Sequence, residues 1–297
     1  MLALIAGTGD LPGALVARLA QRPLICAMRG FAPAIDPDLT FRIEHLGSFL
    51  ADLRARGVTR ICMAGAVRRP PVDPALIDAA TAPLVPRLQL ALTQGDDAAL
   101  RVIIGIMEEL GFAVVAAHDV APDLLPKAGV LTRKGPSSHH TADAFSGEAC
   151  VAQMGLADTG QACIVRAGAV LARETAQGTD ALLQGLSIPG APVQQGPDPL
   201  GDVLGSAMDW VVDLVGGPVQ PQRDNSGAIL FKAPKPDQDR RADLPLIGPR
   251  TATLAAAADL DGIVIEAGGV LVLELPLVRK ILDAAGMFLW VRPRGGA

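Results

Sequence analysis

Short apolar runs that stop at glycine or at a polar residue, each followed by helical spacing, alternate along the first half of the chain. Leu2–Ala6 ends at Gly7-Thr8-Gly9-Asp10, after which helical spacing covers residues 11–20. Leu24–Met28 is a second run, residues 46–56 have helical spacing, and residues 60–66 (RICMAGA) are a third run. Residues 96–110 are helical, closed by Gly111, and residues 112–116 form a fourth run. Strands that are apolar on both faces need cover on both, which the crossover helices of a parallel sheet supply. Residues 1–134 therefore read as a Rossmann-like α/β domain with a parallel sheet.

The polar stretch at residues 131–141 (LTRKGPSSHHT) reads as a linker, and residues 135–297 as a second domain of mixed α/β or α+β type. Its expected elements are a helix over 142–154 and a strand pair, 163–166 and 169–172, around Gly168. Further strands are expected at 229–232, 263–266, 270–273 and 288–291, helices at 249–258 and 277–285, and a loop at 185–199. Leu200, Val203, Leu204, Ala207, Met208, Val211 and Val215 follow helical spacing, with Asp202, Ser206, Asp209 and Asp213 opposite. Helices that lie on anionic membranes carry Lys and Arg on the polar face. This acidic one reads as a packing or dimer helix, and a homodimer is expected.

Composition excludes several classes of function. Half the residues are apolar and 19% are charged, which is a folding composition and not a disordered one. With Phe 7, Trp 2, Tyr 0 and a net charge of −5, the chain lacks the basic, aromatic groove of a nucleic-acid binder. The four cysteines show no C-x-x-C spacing and the four histidines no zinc pattern, so buried thiols in a reducing cytoplasm are expected. Asp10 interrupts the first apolar stretch and no basic segment precedes it, against a secretory signal. No apolar run is long enough to span a bilayer, whereas contact with a membrane surface stays open.

Several polar clusters carry candidate chemistry. Gly7-x-Gly9 after the first strand could free backbone N–H groups for an anion. A dinucleotide fingerprint would want a third glycine where Pro12 stands and an acid where Arg29 follows the second strand. Arg68 and Arg69 follow the third strand, at the end where ligands of open α/β sheets bind. Asp96 and Asp97 read as a cap and first-turn acid, and His118-Asp119 follows the fourth strand. Prolines 234, 236 and 245 make the charged stretch from Lys232 to Asp243 a held loop, not a helix. Its cations suit phosphate, and Asp243 suits a metal or a water. Glu174 and Asp180 are hard oxygen ligands of the kind Mg²⁺ takes.

Eight motifs in order then give a family resemblance. They are LIAGTGDLP at 4–12, AGAVRRP at 64–70, GDDAALR at 95–101, AHDV at 117–120, GVLTRKGPS at 129–137, ADTGQACIVRAGAVLARETAQGTDALL at 157–183, KAPKPDQDRRADLPLIGPRT at 232–251 and GIVIEAGGVLVL at 262–273. Across nearly its whole length the chain resembles the LpxI-type UDP-2,3-diacylglucosamine pyrophosphatases of lipid A biosynthesis. The resemblance implies Mg²⁺-assisted hydrolysis to UMP and 2,3-diacylglucosamine 1-phosphate, with the lipid substrate held between two domains. It implies a cytoplasmic protein that touches the inner membrane transiently. The family's catalytic aspartate in D-L-P falls on Asp243. Candidate substrate contacts are Gly7, Gly9, Asp10, Arg68, Thr179, Lys232, Lys235 and Gln238, and candidate metal ligands are Asp243, Glu174 and Asp180. This chain departs from the family at Gln177, where a Glu is usual, and in a longer stretch at about 186–226. The competing readings are an NAD(P)-linked oxidoreductase and a non-catalytic nucleotide-sugar or lipid binder.

Overall fold

The computed structural model describes residues 1–93, 95–187, 225–236 and 238–296. The chain divides into two compact units, and both are α/β. The first unit comprises Met1–Leu125 together with residues 238–244. Its elements are β1 (Leu2–Ala6), α1 (Leu11–Val16), β2 (Leu24–Met28), β3 (Leu39–Phe41), α2 (Leu46–Ala55), β4 (Arg60–Ala64), α3 (Val85–Leu92), α4 (Asp96–Glu109), β5 (Ala113–Val115) and α5 (Ala117–Val120). The strands form a parallel sheet in the order β3-β2-β1-β4-β5. Leu46, Phe49, Leu50 and Leu53 of α2 and Ile104, Ile106 and Met107 of α4 bury against Ile5, Cys26, Ile61 and Val114. Each such side chain contributes about 1.5–3 kcal/mol on leaving water. Phe41 and Phe49 stack with ring centroids 3.9 Å apart.

Strand order reverses between β1 and β4, where a doubly wound sheet usually opens a crevice at the carboxyl ends. Here the chain after β1 also bonds to the end of β4 and the loop that follows it. Gly7 N–H donates to Ala64 O at 2.8 Å, Thr8 N–H to Ala66 O at 3.0 Å, and Ala66 N–H to Thr8 O at 2.9 Å. A Cβ on Gly7 would lie 2.5 Å from Ala66 O, so this approach requires glycine.

The second unit comprises Pro126–Pro236 and Pro245–Ala297. It contains β6 (Gly129–Val130), α6 (Ser138–Leu156), β7 (Ala162–Arg166), β8 (Ala169–Arg173), α7 (Thr179–Ser187), β9 (Ile229–Lys232), β10 (Leu246–Ile247), α8 (Pro249–Ala257), β11 (Gly262–Glu266), β12 (Leu271–Val272), α9 (Leu275–Ala284) and β13 (Phe288–Arg292). A mixed sheet runs β6-β13-β11-β9-β7-β8, with β13, β11 and β9 parallel and the other pairings antiparallel. β10 and β12 form a separate parallel pair. One face (Ile164, Leu230, Ile263, Ile265, Leu289) packs on Leu183 of α7, Ala252 and Ala255 of α8, and Val278 and Leu282 of α9. The other face, with Phe231, Val264 and Phe288, packs on Ala144, Cys150, Val151 and Met154 of α6.

The unit boundary falls at Leu125–Pro126, ahead of the expected 134. The reason is pairing: β6 joins β13, Leu131 N–H donates to Leu289 O at 2.9 Å, and Leu289 N–H donates to Thr132 Oγ1 at 2.8 Å. The stretch read as a linker is thus bonded to the second sheet over its first residues and enters α6 at Ser138. The first helix stops at Val16, short of the expected residue 20, and Asp10 has φ −88°, ψ −17° with no side-chain capping bond. All four cysteines are buried free thiols, and burial pushes Cys26 and Cys62 up to about 12. The expected loop beyond Ser187 and the amphipathic helix at 200–215 lie outside the described residues. Among the described residues no helix is long and apolar enough to cross a membrane.

Gly7→Ala should lower unfolding free energy by about 1–3 kcal/mol, the usual cost of forcing atoms into a packed site. Denaturant unfolding checks this, with Gly105→Ala as control, because a Cβ there meets nothing within 4 Å.

Candidate active site

The expected site residues separate into two clusters, one in each unit. In the first unit, residues 238–244 interrupt the course from β9 to β10 and fold into a turn. Ala242 N–H and Asp243 N–H both donate to Asp239 O, at 3.1 and 3.2 Å. The Asp239 carboxylate accepts Arg241 N–H at 3.0 Å and the Arg241 guanidinium through Nε at 3.0 Å and Nη2 at 2.7 Å. Arg241 Nη1 also reaches Glu108 Oε1 of α4 at 2.5 Å, and Ala242 packs on the first unit's core. The Arg241 guanidinium beside Asp239 holds that carboxyl below the usual carboxylate range. On the turn so fixed, buried Gln238 donates from Nε2 to Asp243 Oδ2 at 2.5 Å. A side-chain amide holding one carboxylate oxygen sets the direction in which the carboxylate can act.

In the second unit, β8 ends at Arg173 and the chain turns through Thr175–Gly178. Gly178 N–H donates to Thr175 O at 2.9 Å, with Gly178 at φ +86°, a conformation that glycine adopts without strain. The turn brings Thr179 back to Glu174, and both are buried. Thr179 Oγ1 donates to Glu174 Oε1 at 2.5 Å and accepts from Lys232 Nζ at 2.6 Å, at the end of β9. Glu174 Oε2 accepts Gln161 N–H at 2.7 Å. Three residues that were separate candidates therefore form one buried relay, Lys232–Thr179–Glu174.

Other candidates have different partners. Lys235 pairs with Asp158, and Asp180 Oδ2 lies 2.6 Å from Arg250 Nε. Asp119 accepts Ala116 N–H at 3.0 Å at the start of α5, and His118 Nε2 lies 3.9 Å from its Oδ1. Gly7 N–H and Thr8 N–H are spent on the facing loop, so the donors that a dinucleotide reading needs there are already used. Gly9, at φ +94°, has room for a side chain but not the backbone for one. Arg68 is exposed in the loop after β4, and Asp10 is exposed before α1.

Of the expected Mg²⁺ ligands, Glu174 and Asp180 belong to the second unit and Asp243 to the first. Both Glu174 oxygens already accept hydrogen bonds, and Asp180 is paired with a guanidinium. Among the described residues no group of three His, Cys, Asp or Glu side chains is placed to hold a metal ion. Asp239 and Glu108, which help hold the Asp243 turn, were not among the sequence candidates, and Arg241, one of the loop cations read as suited to phosphate, is bonded to both. The signal for the Asp239–Arg241 pair was the Asp-x-Arg spacing between flanking prolines, which suits a side chain closing on its own turn, whereas Glu108 on α4 carries no such local signal.

Thr179→Val removes the hydroxyl between two buried charged groups at nearly constant volume. Stability should fall by about 1.5–3 kcal/mol, the range for hydrogen bonds to charged groups, as read by denaturant unfolding.

Known proteins match both units. Residues 1–124 match the LpxI N-terminal domain, and residues 127–196 and 205–290 match the LpxI C-terminal domain. The UDP-2,3-diacylglucosamine pyrophosphatase LpxI of Caulobacter vibrioides is 34% identical over 294 residues, covering 97% of this chain and 96% of that protein. With both domain models and a full-length relative in agreement, the chain belongs to the LpxI family.

Proposed function

We propose that this chain hydrolyses the diphosphate of UDP-2,3-diacylglucosamine, releasing UMP and 2,3-diacylglucosamine 1-phosphate in lipid A biosynthesis. The observation that carries the reading is the family match across both units, with an aspartate on a braced turn where the family's catalytic one falls. In the reaction, water oxygen bonds to phosphorus while the bridging P–O bond breaks. Asp243 orients that water and takes up its proton, a role worth roughly 10²–10⁴ in rate. Gln238 positions Asp243, and the Asp239–Arg241–Glu108 bracing keeps the turn from relaxing.

A diphosphate repels an incoming oxygen nucleophile, so positive charge near it speeds the reaction. Exposed Arg68 supplies such charge, with Gly9 and Asp10 on the facing loop as further substrate contacts. The buried Lys232–Thr179–Glu174 relay and the Lys235–Asp158 pair hold the shape of the second unit's loops. Gly7 serves packing and not contact. Mg²⁺ stays in the proposal on the chemistry of the diphosphate, not on a preassembled ligand set. The same reading puts the enzyme in the cytoplasm at the inner-membrane surface, where its lipid substrate resides.

Phosphorus NMR of products, with Mg²⁺ and with EDTA, tests this. Wild type with Mg²⁺ should yield UMP and the lipid monophosphate, while EDTA should stop turnover. Asp243→Ala should lose at least about 10²-fold in rate while still unfolding as a cooperative, folded protein, at a cost of about 1–3 kcal/mol for the Gln238 amide it leaves behind. A folded wild type without turnover would leave a lipid or nucleotide-sugar binder, and turnover retained in Asp243→Ala would remove that residue from the chemistry.

A further inference from the structure

One groove in the second unit has a charge opposite to that of the chain as a whole. It has a volume of about 450 Å³ and is lined by Arg133, Pro276, Arg279, Lys280, Asp283 and Ala284. Two walls form it. One is the exposed side of α9, where Arg279 and Lys280 stand while Val278 and Leu282 bury into the core. The other is the segment after β6, pinned to α9 because Arg133 N–H donates to Asp283 Oδ1 at 2.7 Å. Asp283, the acid in this lining, is thus occupied by a backbone amide, and its side chain is only 16% exposed. Arg133 is 89% exposed, with its Nε 3.9 Å from Asp283 Oδ2. Neighbouring Lys134 is 3.6 Å from Asp261, and Glu274 is exposed at the helix start. Three cations against one bonded carboxylate leave the groove positive, on a chain whose net charge is −5. Leu277 stands 40% exposed on the same helix, one turn before Lys280.

We propose that this face of α9, with Arg133, docks the protein on an anionic phospholipid bilayer. Cations beside an exposed leucine are what an anionic interface takes up: phosphates meet Arg and Lys, and the apolar side chain enters the acyl boundary. A net negative chain is repelled by such a surface, so attraction must come from a local patch, and it weakens with salt. The proposal rests on the functional reading only in that a membrane-resident lipid gives the docking its purpose. Arg279 and Lys280 have no part in the chemistry assigned above.

The test is sedimentation with phosphatidylcholine vesicles, with and without phosphatidylglycerol, for wild type and the double variant Arg279→Glu, Lys280→Glu. Wild type should bind the anionic vesicles, release them at high salt, and ignore the neutral ones. Each cation near an anionic surface is worth about fivefold in partition, so losing two should weaken binding by at least about 25-fold. The melting temperature should not change, since both side chains are exposed. Hydrolysis of detergent-dispersed substrate should stay at the wild-type rate, while hydrolysis of vesicle-embedded substrate falls. Equal binding to neutral vesicles, or undiminished binding by the double variant, would overturn the proposal. So would competition by inorganic phosphate beyond that of chloride at equal ionic strength, because the groove would then be a site for soluble phosphate. Vesicle binding without turnover by wild type would sink the functional reading and leave the docking surface standing.

Discussion

The Arg241 guanidinium, shared between Asp239 on its own turn and Glu108 on α4, is the interaction on which the catalytic reading depends. Residues on either side of this turn belong to the second unit, yet residues 238–244 pack with the first. A short excursion of this kind has little apolar surface of its own. Ala242 supplies one contact with the core, and the fork from Arg241 to Asp239 supplies the geometry. The pair with Glu108 is 39% and 47% exposed, so it contributes only about 0.2–1 kcal/mol. Its importance is directional. It fixes the turn that presents Gln238 and Asp243 to each other.

The second unit uses a buried polar chain where an apolar core would do. Lys232, Thr179 and Glu174 are each less than 10% exposed, and the hydroxyl between them both donates and accepts. A buried charge without partners is very costly, whereas a fully bonded relay costs little and specifies one arrangement. The relay ties the end of β9 to the turn before α7, two places that the apolar core alone would leave free to slide.

Much of the fold was legible in the sequence because its strands are apolar on both faces and its turns carry glycine. β1, β2 and β4 stand out as short apolar runs, and their parallel pairing follows from the helices between them. β3 and α3 did not stand out: β3 is a three-residue edge strand, and α3 is mostly exposed and carries a proline in its first turn. Gly7 was readable as a turn residue, but its partner was not. The facing Ala66 carbonyl belongs to a loop about sixty residues away, and only pairing across the sheet brings them together. Asp243 was legible through the family motif. The other candidates were legible as charges but not as pairs: lysines and acids suggest phosphate and metal ligands, and Lys235, Glu174 and Asp180 all have partners within the protein. That boundary is general for charged loops, since sequence shows the charges but not which of them neutralise one another.

If the Arg241 fork serves to aim Asp243, removing it should damage turnover far more than stability. The direct measurement is kcat for UDP-2,3-diacylglucosamine hydrolysis by Arg241→Met beside its unfolding free energy. Loss of roughly 10²-fold in kcat, as expected when a catalytic group is displaced by about an ångström, with about 1 kcal/mol or less of stability lost, is the predicted result. Wild-type kcat in a variant that has lost the fork would contradict the account.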